Sequence, residues 1–338
     1  MPLIEFIFGL AVLIILHETG HFIFCRLFKI EVEEFGIGLP PRLATLFTAG
    51  GTQFTLNAIP LGGFVRPRGE NDPDVPGGLA AASPWARLAV LAAGPLTNLA
   101  FAIILAIIFV YSLGEPIYGR VLIEGVSEGS PAENAGLEPG HLILRANGKE
   151  FETADQLKSE IDANLGQPMT LTVQQGEQVK EITLTPRNPP PDDGAVGIAM
   201  GYQTRPTTLT SAIPSGIQLS YQYIYSLFTL PQRIFSGEVS PEEGRPIGFK
   251  GMYDIYQQLR DPLWFFMAIS MSLGIFNLLP IPALDGGRIL FTLPEIILRR
   301  RIPPQYENMI HLVGFTMLLI LLIYINLQDF INPIQLPQ

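Results

Sequence analysis

A chain of 338 residues that is 48% hydrophobic and only 15% charged is too apolar for an ordinary soluble globule. Its net charge of −10, with no basic block, argues against a nucleic-acid partner. The single cysteine, Cys25, excludes an internal disulfide framework and a cysteine-based zinc cluster; it reads as a small buried hydrophobe at a helix end.

The first predicted element is an apolar run over Leu3–Leu27, long enough for a bilayer, which takes about 20 residues. It has no basic leading region and no small-residue cleavage site, so it is expected to stay as an anchor. Within it stands His17-Glu18-Thr19-Gly20-His21. Residues i and i+4 share a helix face, so both imidazoles can reach one zinc ion, with Glu18 beside them as general base. Charged side chains at bilayer depth cost about 2.5–3.5 kcal/mol each on insertion scales and usually carry function. Hydrogen bonding between helices would account for one histidine, but not for two flanking a glutamate at metal spacing.

Residues 31–65 hold two β-prone stretches around Gly50–Gly51, the pattern of a membrane-associated hairpin. Its strand edge could pair with an unwound substrate segment, with Thr55 and Asn57 as candidate substrate-binding residues; alternatively the hairpin plugs the bundle. Glu31, Glu33 and Glu34 are near enough to His21 in sequence to be metal ligands, but read more simply as a solvated strand edge. A Pro/Gly-rich loop over 66–84 leads to a second span, Leu88–Leu113.

Residues 119–186 alternate short β patterns with helical stretches around 131–136 and 153–163, followed by the Pro-rich run "RNPPPDDG". From 211 to 230, Ile213, Ile217, Tyr221, Ile224 and Phe228 recur at helical spacing with almost no charge, suited to a membrane surface or to packing on the preceding domain. A short helix is expected around Met252–Leu259. The third and fourth spans are Leu263–Ile281 and Met309–Leu327.

At the end of the third span, "NLLPIPALDGG" (277–287) places Asp285 in an apolar stretch that Pro280 and Pro282 break. Irregular backbone is tolerated at membrane depth only where protein or a cavity covers it. Asp285 is therefore the preferred third zinc ligand, over a simple helix cap. His311, in the fourth span, is accounted for by a lone interhelical hydrogen bond.

Arg26, Lys29, Arg42, Arg66 and Arg68 follow the first span, and Arg288, Arg299, Arg300 and Arg301 follow the third. The positive-inside rule puts both loops in the cytoplasm, and both termini and the segment 114–262 outside.

With HETGH in the first span, "IPLGGFV" at 59–65, "AAGPLTN" at 92–98 and "NLLPIPALDGG" in order, the chain resembles the site-2 proteases over nearly its full length. These are intramembrane zinc metalloproteases, and the likeness is to the RseP type. The resemblance implies Zn2+ held by His17, His21 and Asp285, Glu18 as catalytic acid/base, Asn277 on the substrate backbone, and Asn98 supporting the core near the site. Residues 128–148 resemble a bacterial PDZ domain: "AGLEPGHLI" follows A-G-L-x-x-G-D-x-I, with His141 in place of the usual Asp, and "RANG" resembles V-N-G.

The expected fold is an α-helical polytopic membrane protein. Residues 1–113 carry two transmembrane helices, the HETGH site and the hairpin, and 114–190 form an inserted extracytoplasmic α+β PDZ-like domain. Linker and amphipathic membrane-surface helices occupy 191–261, and two further transmembrane helices with the LDGG motif occupy 262–338. The expected function is cleavage of membrane-tethered proteins, anti-sigma-factor-like regulators or remnant signal peptides, in the lipid of a bacterial inner membrane, with no nucleic acid. The alternatives are a membrane-anchored PDZ scaffold with a structural metal and, less supported, a metal transporter.

Overall fold

The structure, a computed structural model, describes residues 2–191, 193–237, 239, 244–259 and 261–334. Asp192 of the Pro-rich run and several positions of the 191–261 linker lie outside the described residues. The chain divides into two units: Phe109 and what precedes it together with the chain from Ile213 on, and Val110–Ala212.

In the first unit α1, Pro2–Leu27, carries HETGH. Two long strands follow, β1 (Val32–Ala49) and β2 (Thr52–Pro67). They form more than a simple hairpin. Phe35 pairs with both Val65 and Phe54, Gly36 with both Phe64 and Thr55, and Thr45 also with Thr55. Each strand is thus bent into two segments, in the antiparallel order 63–67, 32–37, 53–57, 42–49. Segments 63–67 and 42–49 are the edges. Phe22 of α1 packs edge-on against Phe35 and Phe54.

Helix α2 runs Pro84–Leu113. In the second unit come β3 (Glu115–Pro116), β4 (Val121–Val126), α3 (Pro131–Asn134), β5 (Leu142–Ala146), β6 (Lys149–Glu150), α4 (Ala154–Asp162), β7 (Met169–Gln175), β8 (Gln178–Leu184), β9 (Ile198–Gly201) and β10 (Thr204–Arg205). The antiparallel sheet has the order β8-β7-β5-β4-β9, with β6 on β5. Met169, Leu171 and Val173 are buried at period two and join Val121, Ile123, Ile143 and Leu157 in one core. Ser130 and Thr153 cap α3 and α4 by accepting backbone N–H groups. His141 closes the turn before β5, where its Nδ1 accepts the Glu138 N–H at 3.1 Å.

The chain then continues with α5 (Leu209–Phe235), α6 (Phe249–Gln258), α7 (Pro262–Leu278), α8 (Asp285–Leu298) and α9 (Pro304–Ile331). Of the four expected spans, α1, α2 and α9 are long and apolar enough to cross a membrane, whereas α7 has 17 residues and falls just short of that length. Helix α5 packs through Leu219, Tyr223, Ile224 and Leu227 against residues of α2 and α7. The Tyr223 and Ser272 hydroxyls meet at 2.9 Å. Of the apolar stripe read as suited to a membrane surface or to packing on the preceding domain, Ile224 is taken up in this packing, and Ile213, Ile217, Tyr221 and Phe228 stay exposed. Phe6 and Leu10 of α1 join Tyr256 of α6 and Phe265 of α7 in an aromatic cluster. Helix α8 was not foreseen; Arg288 and Glu295 share one side of it, opposite Leu290, Leu293 and Ile297, and Pro294 stands inside it.

Candidate active site

One helical turn separates His17 from His21, and their Nε2 atoms lie 3.2 Å apart. Asp285, the first residue of α8, brings Oδ2 to 3.1 Å from His17 Nε2 and 3.4 Å from His21 Nε2. The three ligand atoms expected from the sequence therefore converge. Zinc–nitrogen and zinc–oxygen bonds of about 2.0–2.1 Å give a tetrahedral edge of about 3.3 Å, so the triangle has the size a zinc ion requires.

The outer partners agree with that fit. His21 Nδ1 lies 2.8 Å from the Val90 carbonyl of α2, so it carries the proton and leaves Nε2 free for a metal. His17 Nδ1 lies 3.5 Å from the Asn98 side-chain amide. Asn98 is fully buried, and its Oδ1 has no hydrogen-bond partner among the described residues. Turning that amide over lets Oδ1 accept the His17 Nδ1–H, which satisfies the oxygen and frees His17 Nε2 as well. The Asn98 carbonyl accepts from Ser270 of α7 at 2.9 Å.

Small residues let these helices approach. A Cβ on Gly94 would lie 2.3 Å from His21 Nε2, and one on Gly20 would lie 2.5 Å from the Ala93 carbonyl oxygen. This gives the "AAGPLTN" segment a physical meaning: Gly94 makes room for the His21 ring, and Asn98 stands beside the His17 ring.

Glu18 faces the edge segment of the sheet, where its Oε2 accepts the Val65 N–H at 3.0 Å. It shares a cavity of about 370 Å³ with His17, His21, Asp285, Asn277 and Phe64. Asn277 also donates to the Leu273 carbonyl within α7, at 2.9 Å. Arg288 lines the cavity too and is ion-paired with Glu70 from the 66–84 loop.

Thr55 and Asn57 are placed elsewhere. Both are buried in an interior segment of the sheet, not at its edge. Thr55 donates to Glu34 at 2.8 Å, and Asn57 donates to the Gly38 carbonyl at 3.2 Å. Their side chains are spent inside the sheet instead of being offered to a substrate. Glu34 is not a solvated edge residue either: it is buried and paired with Arg42 at 2.6 Å and Arg66 at 2.9 Å.

Sequence reasoning missed Val65, Gly94 and the Arg288–Glu70 pair. The only signal for the last was an arginine directly after the Asp-Gly-Gly triplet.

The profile of peptidase family M50 matches residues 5–321. A Clostridium perfringens protein carrying a zinc-metalloprotease name, CPE1693, is 33% identical over 99% of this chain and 100% of its own length. ARASP2 of Arabidopsis thaliana, named as a chloroplastic membrane metalloprotease, is 31% identical over 96% of this chain and 78% of its own length. The zinc metalloprotease RasP of Geobacillus kaustophilus is 24% identical over 97% of both chains.

Proposed function

The chain belongs to peptidase family M50, a zinc metalloprotease of the site-2 type built into a membrane, and on that premise we propose that it hydrolyses peptide bonds within or beside the transmembrane segments of membrane-tethered proteins. The observation that carries this reading is the convergence of His17, His21 and Asp285 at zinc-sized distances beside Glu18, in a cavity open to Asn277.

In this reading His17, His21 and Asp285 hold the zinc ion. When bound, zinc supplies Lewis acidity that makes water a nucleophile near neutral pH. Glu18 removes the proton of the attacking water and returns it to the leaving amine. The Val65 N–H holds the Glu18 carboxylate in place through one oxygen and leaves the other for that proton. Asn277 hydrogen-bonds the substrate backbone. A transmembrane helix hides its carbonyls, so the substrate must unwind to be cut. The edge segment Gly63–Pro67, which reaches the cavity through Phe64 and Val65, is where an unwound strand would pair. Thr55, Asn57 and Glu34 shape that sheet from inside.

The unit Val110–Ala212 is read as a PDZ-like domain on the extracytoplasmic side, where it excludes substrates with folded ectodomains by size. Basic residues around α1 and α8 support reading those ends as cytoplasmic, in a bacterial inner membrane. Suitable substrates are membrane-tethered regulators of the anti-sigma-factor kind and remnant signal peptides. A PDZ scaffold with a structural metal is less supported, because structural zinc sites usually have four protein ligands and here three stand beside a general base.

The test is incubation of the detergent-solubilised protein with a single-span substrate and mapping of the product ends by mass spectrometry. Cleavage inside the span, abolished by a chelator and restored by zinc, is expected. An intact substrate across a panel of single-span helices would favour the scaffold.

A further inference from the structure

The turn that delivers Asp285 to the site is closed by two backbone bonds of its own, Leu284 N–H to the Ile281 carbonyl at 3.2 Å and Ile281 N–H to the Leu279 carbonyl at 2.7 Å, which leave the Ala283 N–H to a partner elsewhere. Pro280 and Pro282 have no N–H to donate, and Leu284, at the start of α8, makes no side-chain cap. Ala283 holds φ +77°, a left-handed conformation that a residue with a Cβ resists.

The support comes from α9. The Ala283 N–H donates to His311 Nδ1 at 2.8 Å, so the His311 ring carries its proton on Nε2. One turn along, a Cβ on Gly314 would lie 2.4 Å from Pro282 Cβ and 3.0 Å from its carbonyl carbon. The His311 ring also lies against Phe291 of α8, with centroids 5.5 Å apart. Glu307, His311, Gly314, Leu318, Ile325 and Asp329 form the sheltered stripe of α9, while Leu312, Val313 and Phe315 are exposed. The one imidazole of that stripe is spent on the turn two residues before Asp285.

We propose that His311 is a positioning residue for the metal site: by accepting the Ala283 N–H, with Gly314 seating Pro282, it fixes the turn that sets Asp285 against His17 and His21. This rests on reading His17, His21 and Asp285 as the ligands. The hydrogen bond accounts for the residue type. An apolar side chain would take away the partner of the Ala283 amide, and the turn would relax away from its strained conformation. Asp285 would move with it.

The experiment uses full-length protein in detergent and compares His311→Leu, His311→Asn and His311→Gln with wild type. Asparagine places Oδ1 where histidine has Nδ1, whereas the glutamine oxygen lies one bond further out. Zinc affinity is read by chelator competition, and thermal unfolding is read on the metal-free protein. His311→Leu is expected to weaken zinc binding by about tenfold or more, the scale of other outer supports of metal ligands. His311→Asn is expected to recover most of that loss, and His311→Gln is not.

Wild-type zinc affinity in His311→Leu would overturn the proposal. So would equal weakening in all three variants with a matching drop in unfolding temperature, since that would mean general packing. Should His311→Leu fail to fold, Gly314→Ala displaces Pro282 with His311 intact. It too should weaken zinc, and an unchanged affinity there would count against the proposal. If wild-type protein holds no zinc, the ligand set fails. If wild type binds zinc and the His311 series is flat, only this inference fails.

Discussion

Both units of the chain bury apolar side chains, but they differ in what they expose and in which polar groups they turn inward. In Val110–Ala212, apolar side chains go inward at the period of the strands, and Met169, Leu171, Val173 and Leu157 are essentially sealed from solvent. In the other unit, α9 has none of its most apolar window buried, while its inward stripe holds Glu307, His311, Gly314 and Asp329. Helix α1 likewise exposes Ile4, Phe8 and Ile23 and turns His17, Glu18 and His21 toward α2 and the sheet. Where the solvent is lipid, apolar surface gains nothing by burial, and polar groups mark the interior. Hydrophobicity locates the core of one unit, and polarity locates the chemistry of the other.

That contrast can be broken most sharply at Asp285. Asp285→Ala removes one of three converging ligand atoms and is expected to abolish cleavage and strip most of the zinc, measured by metal analysis after dialysis. The core of the second unit should behave oppositely. Leu157→Ala should cost about 2–5 kcal/mol by leaving a cavity, read as denaturant unfolding of that unit, with zinc content unchanged. Thr55→Val tests the polar interior of the sheet. It takes a hydrogen bond from the buried Glu34 carboxylate, a loss of about 1.5–3 kcal/mol, measured by thermal unfolding of the full chain. The smallest effect belongs to an exposed pair in the second unit. Removing Arg145, 2.7 Å from Glu150 at the surface, should change stability by less than about 1 kcal/mol.

The same contrast explains what the sequence could tell. HETGH and Asp285 were legible because an ionisable residue in an apolar run has few reasons to be there. The β patterns of the second unit were legible because alternation survives in an aqueous domain; β7 falls on the alternating run "MTLTVQQ", within the 119–186 stretch. The doubled sheet of β1 and β2 was not, because bending each strand at 38–41 and 58–62 depends on pairings distant in sequence. Thr55 and Asn57, expected as substrate-binding residues, lie on the sheet's interior segment 53–57. Helix α8 was missed because Pro294 stands inside it and Arg288 was read with Arg299, Arg300 and Arg301 as part of a connecting loop. The role of Gly94 could not be read locally, since it answers to a ring on another helix.

The most direct test pairs zinc content with cleavage of a single-span substrate, using wild type and Glu18→Gln prepared identically. With three ligands untouched and the base removed, both proteins should hold about one zinc per chain. Cleavage should fall by a factor of about 10²–10⁴ or more in the variant. Normal cleavage by Glu18→Gln, or a well-folded wild type without zinc, would contradict the assignment of the site.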